Sequence, residues 1–404
     1  MLIMKEIEKQ FGIMKRNTVE VIEESELKEK IGKSLSTNTP LRIKYGIDPT
    51  APDIHLGHTV PIKKLKEFQD MGHKVLFLIG DFTAKIGDPT GRNETRPMLS
   101  SGQIKSNLSR YREQAGRILD LDKTEFVYNS DWLSVLNLED IVRLTSVFTI
   151  ARILERDDFS KRYKENKPIF LQEFLYPLMQ GYDSVELKAD IEIGATEQKF
   201  NLLAGRTMQE AAGQSKQIVI TMPILVGTDG KMKMSKTYNN HVPIETSPQD
   251  MFGRVMSVTD GAMEEYYRLL TGVEERVFKN LIGVNPRQAK AKLAAEIVKD
   301  YFGERKAEEA GREFDRIFKE RRAPSDIREF AVKTDLQDAP GATLIDIMCV
   351  SGLASSRSEA RRLVSQKAVK LDERVLEDAS GVLEFKDGQV LKVGKRKFIR
   401  LKSA

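Results

Sequence analysis

A chain of 404 residues, 40% hydrophobic and 31% charged, has a globular composition and is long enough for two to three domains that each bury a core. No apolar run reaches the length of a membrane-spanning helix, and Met1 to Gly12 mixes Lys and Glu without an apolar signal core, so neither a helical membrane protein nor a secreted one is expected. The single cysteine, Cys349, excludes an internal disulfide and a Cys-rich metal site; it reads as a small buried apolar residue in a reducing cytosol. The net charge of +5 is held unevenly: Gly341 to Ala404 carries 13 Lys or Arg against 8 Asp or Glu, so a basic, polyanion-binding module follows an electrically balanced body.

Residues 1–40 read as a helical lead-in without chemistry. From Leu41 to about Asp120 the pattern is α/β. A short strand, Leu41 to Lys44, runs into the loop Tyr45-Gly-Ile-Asp-Pro-Thr-Ala-Pro-Asp-Ile-His-Leu-Gly-His58. A helix follows with Ile62, Leu65 and Phe68 at helical spacing, Pro61 in its first turn and Gly72 at its end; Lys74 to Ile79 is then an apolar strand. In such a β-α-β unit the loop lies at the carboxyl end of the first strand, where unpaired N–H groups and the positive end of the helix dipole meet a phosphate. His55 and His58 add two side-chain donors three residues apart, although a cap or a core hydrogen bond is as common a fate for such histidines. The loop Gly80 to Arg96 comes next, at the end of the second strand, and faces the same crevice. In it Asp88 can accept from an ammonium group, and Arg92 and Arg96 can reach phosphate oxygens; a plain Asp-Pro and Thr-Gly turn with solvated arginines fits equally well.

From Leu121 to about Lys167 the pattern turns helical. Ile141, Leu144, Val147, Phe148, Ala151 and Leu154 form an apolar stripe, which reads as core or as an insertion that pairs with a second subunit. In the helix Phe170 to Asp183, Tyr176, Gln180 and Asp183 stand at i, i+4 and i+7, so a phenol, an amide and a carboxylate share one face, suited to a ligand hydroxyl or ammonium or else simply polar and outward. The strand Ala189 to Ile193 leads into Gly194-Ala-Thr-Glu-Gln198. A buried strand from Ile218 to Val226 and an Asp229-Gly230 turn then precede Lys233-Met-Ser-Lys-Thr237, which by itself could be an exposed charged loop. Beyond Ser247 the pattern is an α-helical bundle, with a linker at Asp335 to Gly341. A short helix around Ser358 to Val364 and alternating strands up to Leu401 close the chain, with the Lys and Arg clusters of an RNA-tracking surface.

The Gly-x-Asp-Pro-Thr loop, His-Leu-Gly-His at a helix start and Lys-Met-Ser-Lys-Thr after the last strand resemble the two signatures of class I aminoacyl-tRNA synthetases. Ile86 to Gly91, Glu173 to Asp183 and Gly194 to Gln198 resemble bacterial-type tyrosyl-tRNA synthetases over nearly the whole length. The resemblance implies a Rossmann-like parallel-sheet catalytic domain over 1–240 with a dimerisation insertion at about 121–167. It further implies a helical anticodon-binding domain over 241–335 and a small α+β RNA-binding domain over 341–404, similar to a small-subunit ribosomal protein fold. The implied partners are ATP with Mg²⁺, L-tyrosine, tRNA(Tyr) and a second copy of the chain in the cytoplasm, with no tightly bound cofactor or metal.

By the same resemblance His55, His58, Thr50, Lys233, Lys236, Arg92 and Arg96 act on the phosphates. Asp48, Glu197, Ile224 and Leu225 join His55, His58 and Lys236 around ATP. Asp88, Tyr176 and Gln180 hold the ammonium of tyrosine, Asp183 its phenol and Gln198 its carboxylate, over a floor at Gly46. Lys44 belongs to this tyrosine set, at the position where many members carry a second phenol-reading tyrosine. Glu197 stands in place of the usual aspartate at the ribose, and Ala195 in place of a glycine. A tryptophanyl enzyme of the same class, an RNA-binding protein on a synthetase scaffold and a simple nucleotidyltransferase are the other readings; Asp183, the two lysines and the RNA-directed domains speak against them in turn.

Overall fold

The structure, a computed structural model, describes the chain except Met1, residues 51–52, 91–100, 321–326, 333–342, 380 and 395–396, and Ala404. The described chain forms two compact units, Met1–Ala307 and Glu308–Ala404.

The first unit is built on a six-stranded sheet of β1 (Glu20–Ile22), β2 (Arg42–Ile47), β3 (Lys74–Ile79), β4 (Thr124–Tyr128), β5 (Ile191–Ala195) and β6 (Ile218–Met222), in the order β1-β6-β5-β2-β3-β4. All neighbours are parallel except β1, which pairs antiparallel with β6. The apolar runs Val75–Ile79 and Ile218–Met222 are buried along their whole length, as parallel strands covered on both faces require. Helices α1 (Leu2–Lys15) and α2 (Glu24–Thr37) flank the edge strand, and α3 (Leu56–Asp70) crosses from β2 to β3. The spacing of Leu65 and Phe68 does place both in the core with Ile62, and Gly72, at φ 88°, follows the end of the helix. The helix starts earlier than expected, so Pro61 falls inside it rather than in its first turn.

Between β3 and β4 lie α4 (Thr83–Ile86) and α5 (Ser101–Ala115). After β4 come α6 (Ser130–Leu133), α7 (Leu138–Ser146), α8 (Ile150–Ile153), α9 (Asp157–Lys164) and α10 (Leu171–Glu186), and α11 (Lys199–Ala211) joins β5 to β6. The insertion therefore begins after Tyr128, not at Leu121: Thr124–Tyr128 is too short a run to separate from its helical surroundings by periodicity, yet it pairs with β3 over five residues. The buried strand read as Ile218 to Val226 ends at Met222, and β2 continues to Ile47 beyond the expected Lys44. The lead-in likewise contains β1, which finds its partner only at Val219–Thr221.

Helices α12 (Pro248–Met256), α13 (Met263–Leu270), α14 (Glu275–Val284) and α15 (Pro286–Phe302) are part of the first unit, so a boundary at 240 is not where the chain divides. Side chains join them to the α/β body: Tyr266 O–H donates to the Val226 carbonyl at 2.8 Å, and Lys63 on α3 donates to the Leu270 carbonyl at 2.7 Å and pairs with Asp300 at 2.5 Å.

The second unit carries a five-stranded sheet of β7 (Glu329–Ala331), β8 (Val369–Leu371), β9 (Arg374–Val375), β10 (Val390–Val393) and β11 (Lys397–Lys402), ordered β7-β11-β10-β8-β9. Leu344, Ile347, Met348, Val364, Leu391, Ile399 and Leu401 fill its core; Cys349 is half-buried against it. Phe330 on β7 belongs to this core, so the unit starts before the expected Gly341. The expected linker at Asp335 to Gly341 lies outside the described residues. On helix Arg357–Ser365, Ala360 and Val364 face the core, while Arg357, Arg361 and Arg362 are exposed.

Phe68 is fully buried between α3 and the sheet. Phe68→Ala is expected to cost about 3–5 kcal/mol through lost burial and the cavity left behind. A urea titration checks this: the midpoint should fall clearly, and an unchanged midpoint would show that this packing does not carry the fold.

Candidate active site

β2 and β5 share only two register pairs, Ile43 with Ile191 and Lys44 with Glu192. Past them β2 leads on to β3 and β5 to β6, in opposite directions across the sheet. This is the switch point at which an open α/β sheet parts at its carboxyl edge, and ligands of such sheets bind there. A cleft of about 500 Å³ opens at this place.

One end of the cleft is closed over a buried carboxylate. Asp183 on α10 is 1% exposed and accepts hydrogen bonds from Trp132 Nε1 (2.8 Å) and Asn129 Nδ2 (3.3 Å). Burial pushes its carboxyl up to about 7; the charge of Lys44 and the two hydrogen bonds oppose the rise, and Glu192 adds to it. Above it on the same helix, Gln180 Nε2 donates to Glu192 Oε1 (3.2 Å) and Tyr176 O–H to Asp48 Oδ2 (3.0 Å). Asp48 also accepts from Thr83 Oγ1 (2.8 Å), against Gly80, where a β-carbon would lie 2.1 Å from Asp48 Oδ1. Asp88 accepts from Gln198 Nε2 (2.6 Å) and from the N–H and hydroxyl of Thr90 (3.0 and 2.6 Å). Carboxylates and amides thus face a small ligand from both sides.

The other end holds the histidines and the lysine loop. His55 is the extended residue before α3, His58 sits in its first turn, and their rings stack with centroids 3.8 Å apart. His55 Nδ1 is buried without a hydrogen-bond partner among the described residues. The loop after β6 is tied down by Met234 N–H on the Leu225 carbonyl (2.9 Å) and Ser235 N–H on Asn240 Oδ1 (2.8 Å). It reaches the helix start directly: Gly57 N–H donates to Met234 Sδ at 3.3 Å, Lys236 pairs with Asp53, and Lys233 pairs with Glu197 at 3.0 Å. A helix N-terminus, two imidazoles and two lysines therefore converge, a set of donors able to hold a polyphosphate, and each lysine rests on a carboxylate.

Burial first, then nearby positive groups, holds His55 down to about 2 and His58 to about 4, so both rings are neutral N–H donors at pH 7. His73 is likewise held to about 4 by burial, and His241 is lowered.

Of the residues expected to form the site, Gly46, Asp48, Thr50, His55, His58, Asp88, Tyr176, Gln180, Asp183, Glu197, Gln198, Ile224, Leu225, Lys233 and Lys236 all line this one cleft. Arg92 and Arg96 lie outside the described residues. Lys44 does not line the cleft: its ammonium is wholly buried on Glu192 (3.0 Å), the Gln180 carbonyl and the Ser184 hydroxyl, because a buried lysine must find acceptors. Sequence reasoning also missed Asn129, Trp132, Glu192 and Asp53. A lone tryptophan, and Glu192 flanked by Ile191 and Ile193 in the strand Ala189 to Ile193, were the available signals.

This cleft and its two loops define the catalytic domain of a class I aminoacyl-tRNA synthetase, and the family described as tRNA synthetases class I (W and Y) matches residues 35–319, with an S4 domain at 344–387. The chain is 50% identical to the tyrosine–tRNA ligase of Carboxydothermus hydrogenoformans over 98% of both chains. It is 46% identical to that of Thermotoga maritima, over 98% of this chain and 97% of that one. A C-terminally truncated mitochondrial tyrosyl-tRNA synthetase of Coccidioides posadasii aligns with a TM-score of 0.62 at 25% identity, over 77% of this chain and 94% of that one. The chain belongs to the tyrosine–tRNA ligase family.

A histidine whose folded pKa is depressed stays neutral until the pH falls to that lowered value, well under its ordinary 6.5. The imidazole NMR signals of His55, His58 and His73 should therefore not move between about pH 8 and 5. A titration midpoint near 6.5 for His58 would show that the ring is solvated and not packed under the lysine loop.

Proposed function

We propose that the cleft activates L-tyrosine with ATP, giving tyrosyl-adenylate and pyrophosphate, and that the tyrosyl group then passes to the 3′ end of tRNA(Tyr). The observation that carries this reading is the union, in one cleft, of the buried acceptor Asp183 with the donors of the His55 and Lys233 loops.

The amino acid lies with its phenol on Asp183, its ammonium among Asp88, Tyr176 and Gln180, and its carboxylate toward Gln198. Phenylalanine leaves a desolvated carboxylate without its donor, and the penalty for that vacancy is what rejects it; tyrosyl-tRNA synthetases are themselves the standard case of this discrimination. The adenosine lies along Gly46 and Asp48, with Glu197 at the ribose and Ile224 and Leu225 beside the base. Attack of the tyrosine carboxylate on the α-phosphorus is an in-line displacement that needs no enzyme nucleophile: the residues position the reactants and stabilise charge growing on the phosphate oxygens. His55, His58, Thr50, Lys233 and Lys236 supply that stabilisation, joined by Arg92 and Arg96, with Mg²⁺ arriving on ATP. On binding, Lys236 exchanges Asp53 for phosphate, and Lys233 leaves Glu197 free for the ribose.

The helices over 248–302 read the anticodon region, and the basic second unit follows the RNA backbone through residues such as Arg361 and Arg362. Val135, Leu138, Val142, Ile150, Phe170 and Leu171 are exposed, at 75%, 79%, 58%, 66%, 49% and 82%. Exposed apolar residues in this number on the insertion and the start of α10 support a homodimer formed through them. Among the described residues no helix is long and apolar enough to cross a membrane.

Exchange of labelled pyrophosphate into ATP, run with each of the twenty amino acids, tests the reaction: tyrosine alone should stimulate it, and stimulation by tryptophan alone would overturn the assignment. Lys236→Ala should slow tyrosine-dependent exchange roughly a hundredfold with tyrosine binding nearly unchanged; equal loss of binding would make the lysine structural. Val142→Glu, which puts a charge on the exposed apolar face, should convert the dimer to monomer in analytical ultracentrifugation, and an unaffected dimer would place the interface elsewhere.

A further inference from the structure

Lys44 and Glu192 form a buried ion pair that the reaction above does not use. Their side chains are 0% and 1% exposed and meet at 3.0 Å. They are the last register pair of β2 and β5 before the strands part. Lys44 Nζ also donates to the Gln180 carbonyl and the Ser184 hydroxyl, each at 2.8 Å. Glu192 accepts from Gln180 Nε2 at 3.2 Å, from Ser184 Oγ at 3.1 Å and from Gln217 Nε2 at 2.5 Å. Apart from Gln217, every partner of the pair sits on the turn of α10 that brackets Asp183. A buried ion pair seldom stabilises a fold more than apolar packing of the same volume would, so stability alone gives little reason for charges at this depth.

We propose that the Lys44–Glu192 pair is a positioning device for substrate selection: Lys44 fixes the α10 turn that carries Asp183 toward the phenol, while Glu192 orients the Gln180 amide. This inference rests on reading the cleft as a tyrosine pocket. It gives Lys44 a role beneath the pocket in place of the direct contact expected from the sequence. The charged groups acting on Asp183 are Lys44 from β2 and Glu192 from β5; its hydrogen-bond donors, Asn129 and Trp132, follow β4. Burial raises the carboxyl of Asp183 and Lys44 restrains that rise, whereas Glu192 adds to it. Removing the lysine charge therefore moves the loss of the Asp183 proton to higher pH, and removing the glutamate charge moves it to lower pH.

The experiment compares the whole chain with its Lys44→Met and Glu192→Gln variants. Tyrosine binding is followed through the fluorescence of Trp132, the only tryptophan, from about pH 5.5 to 9. Pyrophosphate exchange gives kcat/KM for tyrosine and phenylalanine. In Lys44→Met the pH limb of tyrosine binding should rise by about one pH unit and the preference for tyrosine should fall about tenfold, chiefly in KM, with kcat changed less than about threefold. In Glu192→Gln the limb should move to lower pH. Limbs that stay in place, or that move the same way in both variants, overturn the proposal. Lys44→Met leaves Glu192 buried without its partner; if that variant does not fold, the near-isosteric Glu192→Gln decides alone, a downward shift supporting the proposal and an unmoved limb overturning it. A wild-type chain that tyrosine does not stimulate would instead overturn the reading of the pocket, so the two failures are distinct.

Discussion

The parting of β2 and β5 is the constraint on which the rest depends. Two register pairs hold the strands together, and the space above the second is the cleft. Because the neighbouring connections run in opposite directions across the sheet, α3 and its histidines approach that space from one flank and the loop after β6 brings its lysines from the other. The strongly apolar strands supply the stability that lets the cleft carry polar groups: Phe77, Ile191 and Ile220 are almost wholly buried, whereas carboxylates, amides, imidazoles and ammonium groups line the cleft together with apolar residues such as Ile193, Ile224 and Leu225.

Electrostatics divides the cleft into two functions. At one end the desolvated carboxylate of Asp183 accepts from Trp132 and Asn129; in the proposed reading a substrate hydroxyl joins them, and its loss leaves a buried acceptor short of a donor. At the phosphate end the rings of His55 and His58 are kept neutral and offer N–H groups without adding charge, while Lys233 and Lys236 carry the charge and rest on Glu197 and Asp53. In the proposed reading a polyphosphate would meet preset donors and displace only ion pairs that are partly open to water, an exchange whose cost is small.

Much of this was legible in the sequence because the decisive signals are local. The strand Lys74–Ile79, the helix carrying Ile62, Leu65 and Phe68, and the Tyr176, Gln180 and Asp183 face each follow from spacing within one element. What was not legible depends on partners far apart in the chain. β1 is a strand only because Val219–Thr221 lies beside it, and Thr124–Tyr128 joins the sheet only through β3. Lys44 could not be placed from its own strand, since the carboxylate that holds its ammonium stands on β5. Likewise nothing local to Trp132 says that its ring N–H will find Asp183. The attachment of the helical region to the first unit was also hidden, because contacts such as Lys63 on the Leu270 carbonyl and Tyr266 on the Val226 carbonyl join residues far apart in the chain.

A crystal structure with a non-hydrolysable tyrosyl-adenylate analogue, such as the sulfamoyl adenosine ester, tests the central claim most directly. The account predicts the phenol within hydrogen-bond distance of Asp183, the sulfamoyl group between the His58 and Lys236 loops, and the adenine against Leu225. Density for the analogue outside the cleft, or inside it with the phenol turned away from Asp183, would contradict the account.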